Sequence, residues 1–302
     1  MTLSGAEWEG ADYSPPTVDE LGYYAAKGIK LIRLEIRWDR VQPSLYGPLN
    51  MNEVKWIRDT MIAQANRLGM SMIVDLHERS WSDDLNFNDS LPIESLSNFW
   101  RKLATQLHGV PGVCGYGIAN EPDNTPDQFG LWQDRANSVI SAIRSVDKDH
   151  YVFVCEDLWT FSVSWRPDEA EQIIDPANKL VYEAHSYWDN NRSGNYSPNV
   201  PPKDANAAKT LVENNLAPFV TWCNTQKMRC FVGEFGVPSD QTWLLALDYA
   251  LSYRQKRNMG GAYWAGGSGW NPAEDGGILS IEPLGSIDSR QMVILKKYLT
   301  AE

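Results

Sequence analysis

The chain has 302 residues, of which 43 % are hydrophobic and 22 % charged, a composition typical of a globular protein with a sizeable core. Its net charge of −12 disfavours a nucleic-acid partner, and no Lys or Arg cluster opposes that interpretation. No stretch approaches the ~18 consecutive apolar residues of a membrane span, so no membrane partner is expected.

Short apolar runs alternate with helical segments along the chain, and each run is a predicted strand. Seven runs are KLIRLEI (30–36), SMIVDLH (71–77), VCGYGIANE (113–121), YVFVCED (151–157), KLVYEAHS (179–186), RCFVGEF (229–235) and GGAYWAG (260–266). The segment LSGAEW (3–8) serves as an eighth. The runs start roughly 30 to 50 residues apart, which leaves room for a strand, a loop and a helix each time.

Two of the intervening segments have a clear helical pattern. The segment 54–69 carries an apolar stripe and ends at Gly69, a predicted C-terminal cap. The stripe comprises Val54, Ile57, Met61, Ala65 and Leu68. The segment 95–109 begins with Ser95 as a predicted N-cap and ends at Gly109.

Eight alternations of strand and helix, without a linker or a low-complexity tract, predict an α/β fold of the (β/α)8 TIM barrel type. We expect a single catalytic domain over residues 1–302. An open, doubly wound sheet is the alternative, but no GxGxxG or GxxxxGK[ST] phosphate loop follows the first strands.

The four cysteines form no CxxC pair, which disfavours a zinc site. Cys114 and Cys155 lie within apolar runs and are interpreted as core residues, whereas a pairing of Cys223 with Cys230 stays open. The opening residues MTLSGAEW lack the basic start and long apolar stretch of a signal peptide. The protein is therefore either cytoplasmic or a mature form with an added methionine.

Polar side chains recur at the predicted C-terminal ends of the strands, where a barrel of this type has its active site. They are Arg33, Glu35, His77, Asn120, Glu121, His185, Tyr187, Glu234 and Trp264. Folding does not require polar groups there, and their desolvation has a cost, so the set indicates a functional site. A single histidine at a strand end usually makes a structural hydrogen bond. Because no HxH or HExxH motif is present, no metal ion and no cofactor are predicted.

Glu121 in GYGIANEPDN and Glu234 in FVGEFGVPSD each end a strand-like run and precede a turn. A single glutamate at such a position is usually a rim charge. Two of them, with Arg and His on neighbouring strands, favour an acid–base pair. Paired carboxylates cleave glycosidic bonds, and retention of configuration requires the two carboxyl groups to lie roughly 5 Å apart. Thirteen tryptophans agree with this function, because a flat indole stacks on sugar rings as well as filling cores.

The order of motifs resembles glycoside hydrolase family 5, and within it the cellulase-type endo-β-1,4-glucanases. The motifs are RLEIRWDRVQP, VDLH, GIANEPDN, VYEAHSYWD, FVGEFGVP, GAYWAGGSGW and LSIEP. The resemblance runs from LSGAEW to LSIEP, nearly the whole chain. It implies a retaining double displacement with Glu121 as acid/base and Glu234 as nucleophile. It also implies a polysaccharide or oligosaccharide substrate. We expect a monomer, and a secreted enzyme with the cytoplasm as the alternative.

The same resemblance implies a set of substrate-binding residues. Arg33 would hold Glu234 ionised, Tyr187 would bond it, Asn120 would bond the sugar 2-hydroxyl, and Trp264 would lie beneath the sugar at the cleavage point. The whole set is Arg33, His77, Asn120, Trp159, His185, Tyr187, Trp264 and Trp270. Three of them, Trp159, Trp264 and Trp270, are expected to line one open groove.

The chain departs from the family pattern in three loops that would shape sugar subsites. They are CEDLW (155–159), Glu78-Arg79 after His77, and Ser268-Gly269-Trp270. These departures keep β-mannan, mixed-linkage glucan and a bacterial exopolysaccharide as alternative substrates. A non-catalytic carbohydrate-binding barrel is a further alternative, and the two intact glutamates argue against it.

Overall fold

Strands and helices alternate along the chain in the computed structural model, which describes residues 1–3, 15–77, 80–82, 85–86, 91–122, 131–155, 160–196, 200–270 and 277–299. The strands are β1 (Thr2–Leu3), β2 (Leu31–Ile36), β3 (Ser71–Leu76), β4 (Ser80–Ser82), β5 (Leu85–Asn86), β6 (Val113–Gly117), β7 (Tyr151–Cys155), β8 (Leu180–His185), β9 (Cys230–Glu234) and β10 (Gly260–Gly261). The helices are α1 (Val18–Ala26), α2 (Trp38–Val41), α3 (Met51–Lys55), α4 (Ala63–Arg67), α5 (Ile93–Leu107), α6 (Leu131–Arg144), α7 (Pro167–Ala170), α8 (Ala205–Gln226), α9 (Gln241–Gln255) and α10 (Arg290–Leu299). A π-helical segment, Trp56–Ile62, joins α3 to α4. Among these described helices, none has the length and apolar character needed to cross a membrane.

The chain divides into two compact units. The first unit comprises Met1–Arg33, Phe161–Ser164 and Ala184–Glu302, and the second comprises Leu34–Thr160 and Trp165–Glu183. The boundaries fall inside β2 and β8, so each of these two strands contributes residues to both units.

In the second unit, β2, β3, β6, β7 and β8 are successive neighbours in the sheet. The pairs from β3 to β8 are parallel, with Val74 beside Tyr116, Tyr116 beside Val152, and Val152 beside Leu180. Parallel neighbours need a crossover connection, and α5, α6 and α7 lie in these connections. The strand residues are buried almost throughout, as expected for strands covered on both faces.

In the first unit, the end of β8, β9 and β10 are successive neighbours, and β1 pairs with the start of β2. The pair of β9 and β10 is parallel, with Val232 beside Gly261. Leu3 forms a parallel bridge with Gly266, just beyond β10. Eight strands thus follow one another in sequence order with helices between them, as predicted for the fold class.

The predicted helix ends are confirmed on the C-terminal side and wrong at one N-terminus. Gly69 and Gly109 follow helix ends with φ of +70° and +71°, a conformation that glycine adopts without steric cost. Ser95 is not the N-cap of α5, which begins at Ile93 after Pro92. Pro92 is the N-cap, three residues before Ser95; a proline is tolerated at a helix start because the N–H that it lacks would have no intrahelical partner there. The Ser95 hydroxyl instead donates to the Pro92 carbonyl at 2.6 Å.

The predicted stripe of residues 54–69 faces the core. Val54, Ile57, Met61 and Ala65 are fully buried, and Leu68 is half-buried. Part of the tryptophan excess also belongs to the core, because Trp38, Trp100 and Trp132 are among the largest fully buried side chains.

A disulfide joins Cys223, near the end of α8, to Cys230, the first residue of β9. It settles the pairing that the sequence left open. Cys155 is buried, as the sequence predicted, and Cys114 is half-buried. Burial raises the pKa of the Cys114 thiol to about 11, which keeps it protonated and unreactive at neutral pH.

We expect the double variant Cys223→Ser/Cys230→Ser to have a free energy of unfolding about 2–3 kcal/mol lower, because the cross-link restricts the unfolded chain. Urea unfolding followed by tryptophan fluorescence would measure the difference. A thiol reductant should destabilise the unaltered protein to the same extent and leave the variant unchanged. Equal stability of the two proteins without reductant would contradict this role of the disulfide.

Candidate active site

The Glu234 carboxylate, at the end of β9, is surrounded by three polar side chains of the first unit. Nη1 of Arg33 donates to Oε1 at 2.9 Å, and the hydroxyl of Tyr187 donates to Oε2 at 2.8 Å. Nδ1 of His185 lies 3.5 Å from Oε2. Glu234 is only 4 % exposed, so these neighbours replace water around it. The positive charge of Arg33 and the phenol donor favour the ionised carboxylate.

Strand geometry explains how these side chains meet. Arg33 and Glu35 alternate with apolar residues along β2 and therefore point to one side of that strand. The backbone N–H of Ser186 donates to the Glu234 carbonyl at 2.9 Å, which fixes the end of β9 beside the end of β8. Arg33, His185, Tyr187 and Glu234 are thus brought together by neighbouring strands of the first unit.

Two tryptophans of the first unit follow β10 and pack against each other. The ring centroids of Trp264 and Trp270 lie 4.5 Å apart, with the ring planes inclined by 65°. Trp264 is half-buried, whereas Trp270 is 6 % exposed. The peptide bond between Trp264 and Ala265 is cis. The backbone N–H of Trp264 donates to the carbonyl of Phe235 at 2.9 Å. This bond fixes the backbone of Trp264 beside the residue directly after Glu234.

Gly236 allows this close approach of the two segments. A Cβ atom at position 236 would lie 2.3 Å from the carbonyl oxygen of Trp264, closer than any real Cβ contact. Only glycine therefore fits at position 236, against the backbone of Trp264.

Helix α1 holds the backbone between the two tryptophans. The N–H of Gly267 donates to Oε1 of Glu282 at 2.7 Å, and the same oxygen accepts the hydroxyl of Tyr24. The N–H of Ser268 donates to Oε1 of Glu20 at 2.5 Å. Burial, together with the charge of Glu282, raises the pKa of Tyr24 well above its ordinary value, so the phenol remains a donor. Burial also raises the pKa of Glu282.

The sequence reasoning missed this support. Glu282 stands in the motif LSIEP, which indicates no partner for it, and Tyr24 and Glu20 lie in none of the family motifs. A signal was available at the start of α1, where Thr17 and Glu20 form a capping box of the S/T-x-x-E type.

In the second unit, His77 lies between two buried carboxylates. Its Nδ1 is 3.1 Å from Oδ2 of Asp75, and its Nε2 is 3.3 Å from Oε1 of Glu35. Nδ2 of Asn120 lies 3.4 Å from the same Nε2. These contacts fix the orientation of the imidazole ring. Asp75 was missed from the sequence, although the alternation of SMIVDLH places it on the same side of the strand as His77.

Asn120 and Glu121 follow β6 in the second unit. Asn120 is buried, and its N–H donates to the carbonyl of Leu76 at 2.8 Å. Glu121 is half-buried and has a φ of +39°, an uncommon conformation for a residue other than glycine. Such backbone strain clusters at functional sites, because surrounding structure must hold it in place. We therefore interpret the turn as one that holds the backbone of Glu121 in a fixed conformation.

One predicted substrate-binding residue, Trp159, lies outside the described residues. The acidic residues of the loops that depart from the family pattern, Glu78, Glu156 and Asp157, also lie outside them, as does Arg79.

Comparisons with known proteins agree with the resemblance found in the sequence. Residues 3–269 match the family model described as Cellulase (glycosyl hydrolase family 5). Endo-beta-1,4-glucanase B of Aspergillus niger is 24 % identical over 299 residues, which are 96 % of this chain and 84 % of that protein. Endoglucanase Cel5A of Pseudomonas stutzeri, solved with cellobiose, is 33 % identical with a TM-score of 0.87, over 99 % of this chain and 91 % of that one. The endo-beta-1,4-glucanase Xac0029 from Xanthomonas axonopodis pv. citri is 30 % identical with a TM-score of 0.87, over 99 % and 96 %. Because the family model spans most of its length, this chain belongs to glycosyl hydrolase family 5 and is a glycosidase.

Proposed function

We propose that this protein is a retaining endo-β-1,4-glucanase, with Glu234 as the nucleophile and Glu121 as the acid/base. The observation that carries the proposal is the setting of Glu234, a buried carboxylate hydrogen-bonded through both oxygens to Arg33 and Tyr187. A carboxylate held in this way is charged and cannot rotate away, which suits attack on an anomeric carbon. One solved relative supports the glycan, since Cel5A of Pseudomonas stutzeri was solved with cellobiose.

The reaction takes two steps. In the first, Oε1 or Oε2 of Glu234 bonds to the anomeric carbon, the glycosidic C–O bond breaks, and Glu121 gives its proton to the leaving oxygen. In the second, a water molecule attacks the same carbon, Glu121 takes the proton of that water, and the bond to Glu234 breaks. Two inversions give net retention, and both carboxyl groups return to their starting states.

The neighbours of the two glutamates act by positioning and by charge. Arg33 and Tyr187 hold Glu234 ionised before the first step and stabilise the carboxylate as it departs in the second. Asn120 donates to the sugar 2-hydroxyl, and the ring of His77, fixed by Asp75 and Glu35, keeps the Asn120 amide in place. The separation of the Glu121 and Glu234 carboxyl groups stays a prediction, which a crystal structure of an inhibitor complex would measure.

The proposal includes a closed, single-domain (β/α)8 barrel over residues 1–302. Eight strands in sequence order with intervening helices support it, as do solved relatives with TM-scores of 0.87. The Cys223–Cys230 disulfide supports an oxidising compartment and hence a secreted enzyme. We expect a monomer, which sedimentation equilibrium would measure.

The test is hydrolysis of a panel of soluble β-glycans, with NMR of the anomer released first. We expect the highest kcat/KM on β-1,4-glucan, cleavage inside the polymer, and initial release of the β-anomer. Preference for β-mannan, mixed-linkage glucan or a bacterial exopolysaccharide would reassign the glycan and leave the chemistry intact. Initial release of the α-anomer would rule out retention, and no hydrolysis of any glycan would leave a carbohydrate-binding barrel.

The variant Trp264→Ala should lower kcat/KM on cello-oligosaccharides roughly 10- to 100-fold, because a half-buried indole face offers an apolar surface for a sugar ring. Steady-state kinetics would measure the loss. Trp264→Phe, which keeps an aromatic face, should retain most of the activity. An unchanged kcat/KM in Trp264→Ala would contradict a sugar at this ring.

A further inference from the structure

Three side chains with metal-ligating atoms converge in the second unit, apart from the residues assigned to catalysis. They are His108, Asp147 and His150, and one ligand atom from each lies within 4.8 Å of the other two. Oδ2 of Asp147 lies 2.6 Å from Nδ1 of His150 and 3.6 Å from Nδ1 of His108.

The cluster lies at the opposite end of the strands from the proposed acid/base. His108 follows α5, while Asp147 and His150 lie in the connection from α6 to β7. His150 directly precedes β7, whereas Glu121 follows the C-terminal end of β6, which is parallel to β7. A ligand held here therefore would not contact the substrate.

The carboxylate of Asp147 is oriented and charged before any ion arrives. Its Oδ1 accepts the N–H groups of Asp149 at 2.9 Å and His150 at 3.1 Å, and its Oδ2 accepts the hydroxyl of Tyr116 at 2.6 Å. Burial opposes its charge, but the hydrogen bonds from Tyr116, His150 and the backbone outweigh burial and hold the pKa of Asp147 well below its ordinary range. Outer hydrogen bonds of this kind are what orient a metal-binding carboxylate.

Access from solvent differs among the three side chains in a way that suits ion entry. Asp147 is fully buried, the His150 side chain is 14 % exposed, and the His108 side chain is 48 % exposed. An ion would reach the buried carboxylate along the exposed face of His108 and displace solvent there.

We propose that His108, Asp147 and His150 bind a divalent transition-metal ion, of which Zn²⁺ is the best match. Two imidazole nitrogens and one carboxylate oxygen are preferred zinc ligands, and a water completes a tetrahedron. Zinc–ligand bonds of about 2.0–2.1 Å place tetrahedral ligands roughly 3.3 Å apart. The His108–Asp147 distance is already close to that value. The shorter His150–Asp147 contact, at 2.6 Å, must open by less than an ångström for both atoms to bind one ion.

Binding joins the end of α5 to the connection before β7. No bond is broken in the chain, and no oxidant or reductant is involved.

Isothermal titration of the whole protein with Zn²⁺ alone, in a non-chelating buffer, tests the site. His77 and His185 also belong to clusters of potential ligands, so the readout is the difference in stoichiometry between variants. We expect His108→Ala to bind one ion fewer per chain than the unaltered protein and to hydrolyse glycans at an unchanged rate. Thr105→Ala, an exposed change on the same helix that removes no ligand, is the matched control and should bind the full number.

NMR of the imidazole groups gives an independent measurement, because the chain has four histidines. Zn²⁺ should shift the signals of His108 and His150, with the His108 signal identified by its loss in His108→Ala. Zn²⁺ should also raise the Tm of the unaltered protein and of Thr105→Ala more than that of His108→Ala. Equal stoichiometry in His108→Ala and the unaltered protein, or no binding by either, would overturn the proposal.

Discussion

The variant Glu234→Gln is expected to lose roughly 10⁴- to 10⁶-fold in kcat/KM, on natural and activated substrates alike. An amide has nearly the shape of the carboxylate, but it lacks the charge that attacks the anomeric carbon. A good leaving group cannot compensate, because the missing bond is the one to the enzyme. Steady-state kinetics on cello-oligosaccharides and on an aryl cellobioside would measure both losses.

The substitution also removes the negative charge that faces the fully buried Arg33, so the fold of the variant must be checked. Circular dichroism and thermal unfolding would detect a global change. Glu171→Gln, on an exposed surface, is the matched control and should retain full activity. A folded Glu234→Gln variant with a tenth or more of the normal activity would remove Glu234 from the nucleophile's role.

The variant Glu121→Gln is expected to affect the hydrolysis of natural and of activated substrates differently. On natural oligosaccharides kcat should fall roughly 10²- to 10⁴-fold, because the leaving oxygen receives no proton. On an aryl cellobioside with a good leaving group, the first step needs no acid and should proceed. The second step lacks its base, so the glycosyl-enzyme should accumulate. Stopped-flow measurement should then record a burst of released aryl alcohol equal to the enzyme concentration.

Azide provides the control for this variant, because it attacks the glycosyl-enzyme without a general base. Its addition should restore turnover of the aryl cellobioside by Glu121→Gln and leave Glu234→Gln inactive. If Glu121→Gln were as slow on the activated substrate as on the natural one, with no burst, Glu121 would not be the acid/base.

The order of strands and helices was predictable because each element carries a local pattern. The stripe from Val54 to Ala65 has helical spacing, and Gly69 and Gly109 mark helix ends through their backbone conformation. Prediction failed where a neighbour changed the local rule, as when Pro92 moved the start of α5 ahead of Ser95. The last strand was predicted over 260–266 but spans only Gly260–Gly261. Beyond this strand, the backbone N–H of Trp264 donates to the carbonyl of Phe235, a contact between segments that are distant in sequence.

The residues around Glu234 were predictable because they stand in quoted motifs at strand ends. Supporting residues were not, since their partners are distant in sequence. Tyr24 and Glu282 are 258 positions apart, and Tyr116 and Asp147 are 31 apart. No periodicity links such pairs, so only the fold reveals them. The residues of the proposed metal site were missed for the same reason, because positions 108, 147 and 150 match no short ligand motif.

The contacts of α1 with Ser268 and Glu282 determine how this enzyme fails on heating. Helix α1 has nine residues, and its Glu20 and Tyr24 hold the backbone between the two tryptophans either directly or through Glu282. Short peripheral elements open at lower cost than the strands of a core. When α1 detaches, Ser268 loses its bond to Glu20 and Glu282 loses its bond to Tyr24, while the sheet persists. Inactivation should therefore precede melting: activity should fade at temperatures where the far-ultraviolet spectrum is still native, and cooling should restore it.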